Sequence, residues 1–433
     1  MATRRRTDAA VVAGGVVTRA AALVQGGVLS LALLMPALAD GQTRPIDGHT
    51  FNPPPRKITL SVASDLLYDT NVAHGTETAA RLRDIEQEDV RSTNVAAIDL
   101  ALPAGRAAFT FLGVVGYDAY ARNDQLDRER IDLSAGTKLP LAFCMFDGDL
   151  HYARAQSDLA DLSLVPNAPA EAAANARTDR RADARLACGP AIGIRPFVSL
   201  GHTETTNSAA ARRFQDVSET RYAAGLSYAN PVVGVVSLVA RRTSFDYDRR
   251  PPDGSLGSPR FRVSYAGVGF DRRLGARLQM TASLGYAWMG EHDARSGRRL
   301  NGLNWDLAST VRLADRAQLT VRTSRAIDAA TGTFANLVRT SSFAGTIIYA
   351  LGPSVRVDAT ASLMTRAFDA GALPQPFQLI DDRSQDYVLG LEYRRARARV
   401  RLAAAYRQRD ATPDLYDYSG FLLSLGVRYA LER

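Results

Sequence analysis

Beyond the first forty residues the chain has no apolar run approaching the roughly 20 residues that a membrane-spanning helix requires, and its mean hydropathy is slightly negative, at −0.14. A helical membrane bundle is excluded. Segments of helical period long enough to build a helical domain are missing as well. Histidine is sparse: His49, His74, His151, His202 and His292 stand apart, with no H-E-x-x-H, H-x-x-E-H or Cys–His spacing for a metal. No glycine-rich loop joins a strand to a helix, so neither a nucleotide nor any other cofactor is expected. Basic residues are not interleaved with aromatics as in a nucleic-acid reader. The formal charge of +8 includes +3 from residues 1–39 (four Arg, one Asp), which leaves a scattered +5 on the rest. Nucleic acid is therefore not an expected partner.

The long apolar stretch that does occur is N-terminal. Arg4, Arg5, Arg6 and Arg19 precede the apolar core Val28–Leu34, and Ala37-Leu38-Ala39 follows. A basic start, a short core and an A-x-A site read as a secretory signal peptide over 1–39. Residues 40–57, with Pro53, Pro54 and Pro55, read as a periplasmic lead-in. From residue 58 to 433 alternating segments take over.

The last stretch shows the pattern most plainly. Val400, Leu402, Ala404 and Tyr406, then Phe421, Leu423, Leu425, Val427 and Tyr429, are each separated by one residue, and Arg399, Arg401, Arg407 and Arg428 lie among the interleaved positions. Period two places the apolar set on one strand face and the arginines on the other. A greasy face with no second apolar layer to cover it fits lipid, and a polar face fits water. Leu278, Met280, Ala282, Leu284, Tyr286 and Trp288 repeat the pattern without a break. Short connections such as Pro103–Arg106 and Gly352-Pro353 alternate with long polar ones such as 122–130, 290–299 and 368–384. The fold class expected is all-β: a single antiparallel transmembrane β-barrel of about 18 strands, 16 being the next count, with both termini periplasmic. Register is ambiguous between 140 and 215, where Arg154 falls on the face of Leu150 and Tyr152, and where 158–175 forms a long Ala-rich loop. Leu278, Leu284, Val311, Leu389, Val400 and Val427 are expected to face lipid.

Three features can carry chemistry. Arg312, Arg322, Arg356, Arg366, Arg399, Arg401, Arg407 and Arg428 fall on polar faces, against fewer acids (Asp306, Asp358, Asp386, Glu392). Such a lining either favours anions by its field or merely pairs across strands and fills the lumen. Cys144 and Cys188 fall at the same periplasmic rim and are expected to be joined in an oxidising compartment, the alternative being two free thiols. His202 near Glu204, and His292 between Glu291 and Asp293, could serve a rim hydrolase, a remote alternative, since serines and acids abound in any such loop.

The first strand ends in Leu67-Tyr68-Asp69-Thr70-Asn71-Val72, and the final hairpin carries Tyr406–Asp410 and Asp417-Tyr418. With Tyr68, Asp69 and Asn71 as its Y-D-x-N-V element, the chain resembles the β-barrel porin 2 family. That resemblance implies an outer-membrane conduit for a secreted exopolysaccharide, acidic if the arginines line its path, with periplasmic export components as partners. One departure stands out: such barrels end in an aromatic that the barrel-assembly machinery reads, whereas here Tyr429 is followed by Ala430-Leu431-Glu432-Arg433, so Tyr429 or Leu431 would have to serve. The expected function is thus a non-enzymatic outer-membrane channel held in lipid. Its alternative in the same architecture is a diffusion or uptake porin for small anionic solutes.

Overall fold

Each alternating segment is a strand, and its partner is the next along the chain. The computed structural model describes residues 54–164, 173–251, 259–289, 301–330, 333, 335–369 and 377–432. The expected signal peptide and residues 40–53 of the lead-in lie outside these residues. The first third comprises β1 (Lys57–Asp69), β2 (Asp89–Ala104), β3 (Ala107–Tyr120), β4 (Arg128–Leu141), β5 (Cys144–Gln156) and β6 (Ala176–Cys188). The second comprises β7 (Gly193–Asn207), β8 (Val217–Asn230), β9 (Gly234–Asp246), β10 (Arg260–Leu274), β11 (Leu278–Met289) and β12 (Gly302–Ala314). The last comprises β13 (Ala317–Ala329), β14 (Leu337–Ala350), β15 (Val355–Phe368), β16 (Asp381–Arg395), β17 (Ala398–Thr412) and β18 (Tyr418–Glu432).

All neighbours pair antiparallel, and β18 pairs with β1 from Thr59 opposite Glu432 to Asp69 opposite Leu422. The sheet is therefore a closed eighteen-strand barrel without an edge. Closure satisfies the backbone N–H and C=O groups that hydrocarbon cannot hydrogen-bond. Both ends of the barrel chain, near Lys57 and Glu432, lie at one rim with the short turns at 105–106, 142–143 and 396–397. Gly105 turns there with φ +59°, a left-handed conformation that costs a side-chain-bearing residue more; Ala142 and Ala396 adopt it nonetheless. The opposite rim carries the long connections, among them 70–88, 157–175 and 369–380.

The outer wall is apolar and uncovered. Leu284 is 50% exposed and Leu389 58%, and Leu278, Val311, Val400 and Val427 share the same face. Tyr68, Tyr117, Tyr222, Trp288, Tyr387 and Tyr406 ring it toward the long-loop rim; Tyr228, Tyr349, Tyr393 and Tyr429 ring it toward the short-turn rim. Two aromatic girdles bounding an apolar band are the surface of a membrane-spanning barrel.

In the ambiguous region, Leu150, Tyr152 and Arg154 do share the outer face. Arg154 stands beyond Tyr152 toward the long-loop rim, and its Nε meets Glu129 Oε1 at 2.5 Å. β7 and β10 are the strands whose alternation is hardest to read. Phe197 on β7, and Phe261, Val263 and Tyr265 on β10, point inward and are buried with Phe245, Tyr247, Ala287 and Leu337 in an apolar cluster. With apolar residues on both faces, the period vanishes from those segments.

A Leu284→Arg substitution places a charge in lipid near the middle of β11 and should cost about 2–4 kcal/mol. Urea unfolding from lipid vesicles checks this, and a change within experimental error would place residue 284 away from hydrocarbon.

Candidate functional site

The site is the lumen, and its shape is set by a segment that crosses it. β15 stands nine strands on from β6 in the eighteen-strand ring, on the opposite wall. Residues 157–164, leaving β5 toward β6, nevertheless reach the inner face of β15 and β17. Arg409 of β17 donates from Nη1 to the Ala160 carbonyl at 2.6 Å, and Arg366 of β15 pairs with Asp161. Two further arginines grip the same segment from neighbouring connections. The seven-residue helix α1 (Glu77–Arg83), capped by Thr76 and lying between β1 and β2, supplies Arg83. Its Nη2 donates to the carbonyls of Leu159 (3.0 Å) and Leu162 (2.6 Å), while Nη1 donates to Ala73 O. Arg212, between β7 and β8, donates to Ser163 O at 2.8 Å. The Leu164 amide closes the series on Tyr416 Oη at 3.0 Å.

Buried guanidinium groups need acceptors, and bare carbonyls of a folded-in loop provide them. Arg83, Arg212 and Arg409 are each no more than 2% exposed. Burial pushes Arg83 down to about 10 and Arg212 to about 9, so both stay cationic at neutral pH. Asp382, fully buried on β16, receives Arg366 at 2.7 Å and Arg409 at 2.5 Å, which fixes the two donors facing the loop. At the start of the loop, His74 Nδ1 meets Asp158 Oδ1 at 2.8 Å while its ring stacks on Tyr418 at 5.1 Å. Burial alone would raise Asp158, but the charge and hydrogen bond of His74 prevail and hold the carboxyl below the usual range. Around this grip, Ala79, Leu164, Ala330, Ala335, Phe368, Leu379 and Tyr416, from five connections and the ends of their strands, pack into one buried cluster. A second cluster joins Val72, Ala80, Ile85, Leu126, Leu159 and Leu162.

All eight arginines read from the sequence face the lumen, but they divide into two kinds. Arg401 forks both terminal nitrogens onto Asp358 (2.6 and 2.8 Å), in space left by Gly390, where a Cβ would run into the guanidinium. Arg356 meets Glu392 at 2.9 Å, Arg407 meets Asp386 at 3.4 Å, and Arg366 is held by Asp382 and Asp161. These four are neutralised by lumen acids. Arg428 reaches Ser61 Oγ at 3.0 Å. Arg312, Arg322 and Arg399 have no ion pair among the described residues. Arg322 lies at mid-height, where its cross-strand neighbours Ala308 and Ala344 are too short to cover it. Hydroxyl pairs line the same zone: Thr310–Thr320 (3.3 Å), Ser324–Ser342 (2.7 Å) and Thr346–Thr360 (3.0 Å). The early strands carry inward ion pairs that sequence reasoning missed, Arg130–Asp118 (2.7 Å) and Arg221–Asp183 (3.2 Å). The same period-two parity points to them, since Asp118, Arg130, Asp183 and Arg221 fall on the faces opposite the apolar rows of their strands.

Cys144 and Cys188 lie opposite each other in the β5–β6 register and are joined, with S–S at 2.05 Å. Tyr68 faces outward, its Oη meeting Glu88 at 3.3 Å. Asp69 Oδ1 accepts the Asn71 amide at 2.8 Å, and Asn71 Nδ2 donates to Gly75 O and Ser419 O. These residues close the end of β1 against β18, which is a structural task. His202 is on the outer wall, where Nδ1 meets Thr220 Oγ1 at 3.1 Å, with Glu204 engaged by Arg180. That arrangement contains no serine–histidine–acid relay. His292, Glu291 and Asp293 lie outside the described residues. A cavity of about 440 Å³ lies against the outer wall, lined by Leu133, Leu150 and Tyr152, and is no part of the lumen. No group of side chains able to hold a metal ion is present among the described residues.

No protein-family model matches the chain, and no curated protein matches it. The resemblance to the β-barrel porin 2 family thus rests on Tyr68, Asp69, Asn71 and the final hairpin alone. Solved structures do resemble the barrel. The structure of Pseudomonas aeruginosa OccK2 (OpdF) in complex with glucuronate superposes with a TM-score of 0.45 at 13% identity, covering 87% of this chain and 98% of that one. Pseudomonas aeruginosa OpdK with vanillate gives 0.44 at 13%, covering 88% and 99%. Acinetobacter baumannii OccAB3 gives 0.45 at 9%, covering 88% and 100%. Likeness at this level carries neither ligand nor direction of transport to this chain.

Removing one partner of a buried ion pair costs roughly 3–5 kcal/mol, so Arg409→Ala should free the crossing segment. Hydrogen exchange at residues 158–164 should accelerate at least a hundredfold while strand amides keep their protection; unchanged exchange would refute the grip. The grip also has a defined pH dependence. Because the Asp158 carboxyl is held low, its stabilisation is full above the unfolded value of about 3.9 and is lost as pH falls below it. Exchange at 158–164 should therefore rise in acid, and Asp158→Asn should flatten that rise.

Proposed function

We propose that the protein is a passive outer-membrane channel for small anionic solutes, with the long-loop rim outside the cell and both barrel termini in the periplasm. The observation that carries this reading is the segment 157–164 bound to the far wall. A bore divided by a folded-in, buried segment suits solutes of a few ångströms and obstructs a polymer chain, which needs an unbroken wet tube. This weighs against the exopolysaccharide conduit that the short family resemblance implies, and favours the alternative of a diffusion or uptake porin.

Selectivity follows from which charges are left over. Paired arginines contribute little net field, since each stands against a carboxylate within hydrogen-bonding distance. The unpaired Arg312, Arg322 and Arg399 set the sign of the potential, and a low-dielectric wall focuses it along the path. Hydroxyl groups beside Arg322 can exchange hydrogen bonds with a passing carboxylate without holding it. No step requires an energy source or a cofactor.

In planar bilayers under a salt gradient the reversal potential should report anion preference. Arg322→Glu together with Arg399→Glu should lower the anion-to-cation permeability ratio several-fold, while Arg401→Gln combined with Asp358→Asn, which removes a neutralised pair, should change it much less. A cation-selective wild type would refute the reading. In the native host, deletion should slow growth on small carboxylates and leave secreted polysaccharide unchanged; loss of polysaccharide with growth unaffected would restore the export reading.

A further inference from the structure

The outer wall is not uniformly apolar at its long-loop end. At the level of the aromatic girdle, and just beyond it, several strands turn charged residues outward. Across β4–β7 these charges cancel, Arg154 with Glu129 at 2.5 Å and Arg180 with Glu204 at 3.0 Å. On the other side they do not. Arg242 of β9 faces Ser264 of β10, and Arg262 of β10 faces Ser244 of β9, so the two arginines are diagonal neighbours. Arg325 of β13 faces Ser341 of β14, and Arg339 of β14 faces Ile327 of β13, which repeats the arrangement four strands on. Diagonal positions on an antiparallel pair are about 7–8 Å apart, within reach of a shared ligand for side chains of this length.

Neither pair has a carboxylate partner among the described residues. Asp246, which lies near Arg262, is taken by Arg260 at 2.8 Å. Like charges on neighbouring strands repel, and at the border of hydrocarbon the repulsion is poorly screened. Arg325 is turned against the Trp305 ring, 5.4 Å from its centroid, which fixes it at the girdle rather than letting it swing into solvent. Two arginines at headgroup depth, with two facing serine hydroxyls in the first pair and one in the second, are a set of donors for a tetrahedral dianion.

We propose that Arg242 with Arg262, and Arg325 with Arg339, each bind a phosphate group of a phosphorylated lipid in the surrounding leaflet. The proposal rests on the membrane-channel reading above, but not on what passes through the lumen. The self-neutralised wall of β4–β7 has no such affinity, so the barrel carries bound anionic lipid on one side.

The test uses the full-length mature barrel in detergent, analysed by native mass spectrometry with an added bis-phosphorylated glucosamine lipid or its dephosphorylated form. Wild type should retain the phosphorylated lipid at least tenfold better. Arg242→Gln/Arg262→Gln/Arg325→Gln/Arg339→Gln should lose that preference, and each double variant about half of the bound lipid. Arg154→Gln/Arg180→Gln should keep it. Heat-modifiable mobility on gels establishes that each variant is folded, and the double variants serve if the fourfold one is not. Equal retention of both lipids by wild type, or equal retention by wild type and a folded variant, would overturn the proposal. So would displacement of the lipid by millimolar inorganic phosphate, which would mark a bare anion site. Failure of wild type to enter lipid bilayers would overturn the membrane reading itself, and this assignment with it.

Discussion

A peptide group in hydrocarbon has no water to turn to, and an unmade backbone hydrogen bond there costs several kcal/mol. The register between β1 and β18 answers that requirement, since it turns an eighteen-strand sheet into a ring with no unpaired edge. The rest of the molecule depends on that closure. It forces each strand to present alternate residues to lipid and to the interior, so within the apolar band the arginines and acids have one place to go. It also fixes which strands oppose one another, and hence lets a loop from β5 meet side chains of β15 and β17.

Inside, the governing chemistry is the need of buried guanidinium groups for acceptors. Arg83, Arg212 and Arg409 are more deeply buried than arginine usually is, and their acceptors are largely main-chain carbonyls of residues 159–163. The relation is mutual. A loop folded into a lumen would leave its own carbonyls without partners, and the arginines supply five N–H groups each. The result is a rigid crossing held by charge-assisted hydrogen bonds, with apolar packing around it rather than through it. Asp382 and Asp161 complete the arrangement by keeping the cations from accumulating unbalanced charge.

Much of this was legible in the sequence, for a physical reason. Lipid tolerates few exceptions on the outer face, so Leu278 to Trp288 and Phe421 to Tyr429 alternate almost without error, and strand count and facing followed. What stayed hidden has physical reasons too. β7 and β10 bury Phe197, Phe261 and Tyr265 inward, so period two disappears where the interior is itself apolar. The crossing of 157–164 could not be read because the groups gripped are carbonyls, which every residue possesses. Nor could the division of the eight arginines into paired and unpaired sets, since Arg401 finds Asp358 two strands away and Arg366 finds Asp161 across the barrel.

That division bears on how a charged lumen can conduct at all. A path lined wholly by free arginines would hold anions too tightly to release them, and one whose arginines were all paired would show them no field. Here the paired arginines brace the wall, Arg401 and Arg366 as bidentate struts, with Gly390 leaving room for Arg401 to lie against Asp358. The unpaired ones are spaced instead of clustered: Arg322 at mid-height, and Arg312 and Arg399 near the short turns. In the channel proposed above, several weak sites in series, separated by hydroxyl-lined stretches, would let a solute enter by attraction and leave by exchange with the next site. On that proposal, structure and selectivity fall to different members of one residue type, according to whether an acid stands within reach.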